Sequence, residues 1–121
     1  MESFIKFYAF KEDVYKEMSS AKALLLTSHY EGFPRVVIEA LSVGTPVISV
    51  DCKSGPSEVI EDGKNGLLVV NHNPQAFAKA IESFIFDTDL YKECKAHAKK
   101  SVEHLQTDVI AKQWSTYLDT L

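Results

Sequence analysis

The chain has 121 residues, 45% hydrophobic and 25% charged, which suits one modest α/β domain and excludes a disordered or membrane-spanning composition. Its net charge is −4 and Arg35 is its only arginine, so no basic face exists for a nucleic acid and none is expected as a partner. Cys52 and Cys94 are far apart, with neither metal-ligand spacing nor a disulfide framework, and no apolar run approaches the roughly 20 residues that cross a bilayer.

In chain order, the apolar and aromatic run Phe4 to Phe10 predicts a strand. Lys11 to Ala21 follows as a helix, with Val14, Tyr15 and Met18 at helical spacing. Lys22 to Thr27 holds Ala23-Leu24-Leu25-Leu26, the continuous apolar pattern of a strand buried on both faces. Pro34 to Val43 predicts a helix opened by proline and ended by Gly44. The strand Val47 to Val50 comes next, then a turn and a short helical piece around Glu58 to Ile60. Asp62-Gly63-Lys64-Asn65-Gly66 reads as a tight turn in which both glycines take positive φ, and Gly66 to Val70 as a further strand. Asn73-Pro74 caps a helix striped by Phe77, Ala80, Ile81, Phe84 and Ile85. Two more amphipathic helices are expected near Leu90 to Leu105 and Asp108 to Leu118.

Buried strands alternating with helices imply a Rossmann-like α/β fold, a parallel sheet of about four strands covered on both faces. Ligands of such sheets bind beyond the carboxyl ends of the strands. That rule nominates Ser28 to Glu31, Asp51 to Gly55 and Asn71 to Asn73. Among these, the helix beginning near Pro34 offers free N–H groups and a positive dipole end, an anion site that needs no special side chain. Gly32 lets a ligand approach the backbone. Glu31 lies just before this helix and Glu39 about one turn inside it, and ionised carboxylates suit the paired hydroxyls of a sugar ring. A lone helical glutamate is usually a solvated residue, but Glu39 sits between Ile38 and Ala40 in a mostly apolar helix. Arg35 is set against the helix dipole; it either meets a phosphate or points into water.

The run Ser28-His29-Tyr30-Glu31-Gly32-Phe33-Pro34 followed by Glu39-Ala40-Leu41 resembles the E-x7-E motif of the family 4 (group 1) glycosyltransferases. Gly44-Thr45-Pro46-Val47-Ile48, Ser54-Gly55-Pro56-Ser57-Glu58 and Asp62-Gly63-Lys64-Asn65-Gly66-Leu67-Leu68-Val69 follow the same family in order and spacing. The resemblance implies part of the carboxyl-terminal, donor-binding lobe of a two-lobed GT-B enzyme, lacking the acceptor lobe and the lobe's first two strands. It implies catalysis through Glu31 at the donor sugar, backbone contacts to sugar and diphosphate from Gly32, Phe33, Pro34, Arg35 and Val36, and a ribose contact from Glu39. Ser54, Gly55 and Pro56 would form a loop near the cleft. The donor would be a UDP- or GDP-sugar, transferred with retention and without an obligatory metal or other cofactor. The acceptor would be a glycan or a lipid-linked acceptor, held by the missing lobe. The basic side chains that family members direct at the diphosphate come from the absent region, so the chain is expected to be inactive alone. The unpaired strand edge would invite self-association. A cytoplasmic setting is expected, with peripheral attachment at the inner membrane face open to a full-length protein. Competing readings are a sugar-nucleotide epimerase or phosphorylase, and a non-catalytic α/β binding or association module.

Overall fold

A computed structural model describes residues 4–7, 14–27, 35–51, 56–70, 73–105 and 107–120. Its elements are α1 (Tyr15–Ser20), β1 (Leu24–Leu26), α2 (Arg35–Ser42), β2 (Val47–Val50), α3 (Pro56–Val59), β3 (Gly66–Val69), α4 (Pro74–Phe86), α5 (Thr88–Ser101), a 3-10 turn (Glu103–Leu105) and α6 (Thr107–Asp119). The three strands form one parallel sheet in the order β1-β2-β3, with Leu24, Val47 and Gly66 in register. The parallel α/β architecture agrees with the sequence, but the strand count among the described residues is three rather than four.

The missing strand is the one expected over Phe4 to Phe10. Residues 8–10 lie outside the described residues, and Phe4 to Phe7 are not strand, with Phe4 87% and Phe7 93% exposed. A strand is held by its ladder, and among the described residues no strand lies beyond β1 to offer one. Apolar composition alone therefore misled here.

Every residue of β2 is buried, because helices cover both of its faces. On one face Val47 packs with Met18 of α1, with Val37, Ala40 and Leu41 of α2, and with Ile60, Ala98 and Val102. On the other, Ile48 and Val69 pack with Phe84 of α4 and Cys94 of α5. The stripe expected on α4 is seen in Phe77, Ala80, Ile81 and Phe84, whereas Ile85 is half exposed. Asn73 caps α4 as its sequence implies, its side-chain oxygen accepting from the N–H groups of Gln75 and Ala76 at 3.0 and 3.2 Å.

Helix α5 runs along the sheet's amino edge and fastens the entry to each strand. Tyr91 donates to the carbonyl of Lys22 ahead of β1 at 2.7 Å, and Lys95 donates to that of Gly44 ahead of β2 at 3.3 Å. Ahead of β3, Asn65 is 2% exposed and fully engaged. Its amide donates to Val59 O and to Ser101 Oγ, each at 3.0 Å, and its Oδ1 accepts from the Glu61 N–H at 2.8 Å. Thr45 adds a buried bond from its hydroxyl to Met18 O, tying α1 to the start of β2. Burial, with the charges of Glu93 and Asp62 adding to it, pushes the Cys94 thiol up to about 11.

The two turn glycines differ. Gly63 takes φ +82°, as expected, but Gly66 takes no positive φ and lies in β3. Its constraint is space: a Cβ there would stand 2.3 Å from the carbonyl oxygen of Val47. The ends of the remaining helices differ from expectation by one to four residues, as frayed termini do.

Candidate functional site

Parallel strands finish at one edge, so Thr27, Asp51 and Asn73 mark the same side of the molecule. The Asp51 N–H still donates to Val69 O at 2.8 Å, holding the ends of β2 and β3 together, while its side chain is exposed. Beside them opens a cavity of about 380 Å³, lined in part by Thr27, Val50, Asn73, Pro74, Phe77 and Ile81. Sequence reading assigned Phe77 and Ile81 to the core alone. Their stripe is wider than β2 and β3 need, and the surplus faces this edge.

Helix α2 begins at this edge, directly after the connection from β1. Val37, Ala40 and Leu41 are fully buried and fix the helix against the sheet. The first backbone N–H groups of any helix lack intrahelical acceptors, and such groups can receive an anion. Val36 is half-buried against the core, and Arg35 extends into solvent with its side chain 86% exposed. The Glu39 side chain is only 25% exposed, and its Oε1 lies 3.7 Å from Nε of Arg35. Sequence reading treated Arg35 and Glu39 as separate ligands, yet their four-residue spacing already put them on one helical face.

Glu31, Gly32, Phe33 and Pro34 lie outside the described residues, as do Ser54 and Gly55. The nominated segments are therefore described only at Asp51 and Asn73. Pro56, expected in a loop near the cleft, is fully buried and opens α3, its carbonyl accepting from Ile60 at 2.7 Å. A proline loses nothing at the first turn of a helix, which explains the position. Among the described residues no group of three or more histidines, cysteines or acids is placed to hold a metal ion, and no helix is long and apolar enough to cross a membrane.

Comparison with known proteins gives this edge its context. The family model for "Glycosyl transferases group 1" matches residues 2–101, and the chain belongs to that family. It is 36% identical over 100 residues to the poly(ribitol-phosphate) alpha-N-acetylglucosaminyltransferase of Staphylococcus aureus, covering 82% of this chain and 20% of that enzyme. With the lipopolysaccharide 1,6-galactosyltransferase of Escherichia coli it shares 42% identity over 74 residues, 61% of this chain and 21% of the other. Among solved structures, Anabaena Alr3699/HepE in complex with UDP superposes with a TM-score of 0.86 at 28% identity, over 99% of this chain and 33% of that one. The fold is thus the Rossmann-like α/β fold of GT-B glycosyltransferases, and the chain spans a fifth to a third of the length of these relatives.

Proposed function

We propose that this chain is the donor-binding part of the carboxyl-terminal lobe of a retaining glycosyltransferase that uses a UDP- or GDP-sugar. The observation that carries the reading is the opening of α2 at the sheet's carboxyl edge, with the part-buried Glu39 one turn inside. In this reading the N–H groups from Gly32 to Val36, Pro34 excepted, receive the diphosphate. Glu39 accepts hydrogen bonds from the ribose hydroxyls, and Glu31 meets the donor sugar at the reacting carbon. Catalysis then rests on fixed dipoles aimed at the charge that develops on the leaving diphosphate. No metal is needed for that step. Support comes from the Anabaena relative, solved with UDP and with UDP-glucose.

The acceptor, a glycan or lipid-linked molecule, belongs in this reading to a further lobe, and the 121-residue chain transfers no sugar unaided. The whole protein would work in the cytoplasm, peripherally at the inner membrane face. The β1 edge, with Leu25 48% exposed, is where the chain would self-associate.

Titration calorimetry of the chain with UDP, GDP and their sugar conjugates tests the reading. Saturable binding to one of the two series, abolished in Glu39→Ala, is expected; heats indifferent to Glu39 would sink it. A second reading, a non-catalytic association module, draws on the exposed Trp114, Tyr117 and Leu118 of α6. It predicts concentration-dependent association without nucleotide binding.

A further inference from the structure

The pair at the tip of α2 is oddly built for a stabilising ion pair. Its cation precedes its anion by four residues, the less favourable order on a helix, and that cation occupies the first helical position, where the dipole opposes positive charge. Among the described residues the contact is a single approach through Nε, and the side chain is 86% exposed. Such a pair contributes little to the stability of the helix.

What the arrangement does is local to the carboxylate. Glu39 is three-quarters covered, and Arg35 is its one charged partner among the described residues. Both stand on a helix that Val37, Ala40 and Leu41 anchor without exposure, so their spacing is rigid. A carboxylate on a long side chain has several rotamers, and an adjacent guanidinium narrows them to those that keep Oε1 toward the tip. We infer that Arg35 is a positioning residue that orients Glu39 for the ribose hydroxyls. The inference rests on the donor-binding reading above. The Arg35 side chain acts through Glu39, and no contact of its guanidinium with the diphosphate is required.

The test compares the affinities of the chain for UDP and for 2′-deoxy-UDP, which lacks one of the hydroxyls Glu39 would accept from. A hydrogen bond to a charged acceptor corresponds to roughly tenfold or more in affinity, which sets the expected preference of the unaltered chain for UDP. Glu39→Gln should erase most of that preference. Arg35→Gln should reduce that preference at least threefold, whatever it does to the affinity for both nucleotides together, and should leave the melting temperature nearly unchanged. Equal weakening of both nucleotides by Arg35→Gln would mean a direct phosphate contact and overturn the inference, as would an unchanged preference. A preference that survives Glu39→Gln, or an unaltered chain that binds neither nucleotide, would instead overturn the donor-binding reading itself and this inference with it.

Discussion

The two edges of the sheet are built in opposite ways. At the amino edge α5 closes over the strand entries and is hydrogen-bonded to each of them, with Asn65 buried and fully satisfied. At the carboxyl edge the described groups are exposed or half covered, and the ion pair of Arg35 with Glu39 spans no more than one helix. Parallel pairing makes this division possible, because every strand enters at one edge and leaves at the other. One edge then carries the cohesion of the domain while the other is left open.

That contrast can be broken most forcefully at Gly66. Gly66→Ala puts a methyl group against the Val47 carbonyl, backbone that cannot rotate away, and should cost about 3 kcal/mol or more in denaturant unfolding. Asn65→Ala removes three hydrogen bonds and strands the Glu61 N–H and the Val59 carbonyl; a loss of about 2 kcal/mol is expected by the same measurement.

Cys94 gives a smaller effect with a pH signature. Its thiol holds its proton more tightly folded than unfolded, so its contribution is complete below the ordinary thiol value of 9.0 and is lost as pH rises through about 11. Stability measured across that window should fall less steeply in Cys94→Ala. A residual decline is expected from Tyr91, whose hydroxyl burial also raises above 10.0. Smallest in stability is Glu39→Ala at the other edge, within about 0.5 kcal/mol of the unaltered chain, although nucleotide binding should disappear. Should Glu39→Ala unfold the domain as Gly66→Ala does, the division between the edges would be wrong.

The sequence made the local features readable and left the distant ones obscure. Asn73-Pro74 announced the start of α4 because capping involves only the next few residues. Gly44 announced the end of α2 for the same reason, and its φ is +86°. Asn65 passed for a turn residue because its burial depends on Ser101, far along the chain on α5. Phe4 to Phe7 passed for strand because hydrophobicity reports a tendency to be covered without naming a neighbour. At the candidate site the helix and the partial cover of Glu39 were legible from pattern. The Arg35–Glu39 contact is less legible, because a cation four residues ahead of an anion is the weaker order on a helix.

The lysine at the rear of α2 has a consequence for its front. Lys95 grips the carbonyl of Gly44, and the Lys99 stem lies so close that even one added methyl at Gly44 would touch it at 3.3 Å. These contacts brace the carboxyl end of the helix against α5 and oppose its sliding along its own axis. A guest meeting the amides of Arg35 and Val36 would then spend little of its binding energy on shifting the helix that carries them.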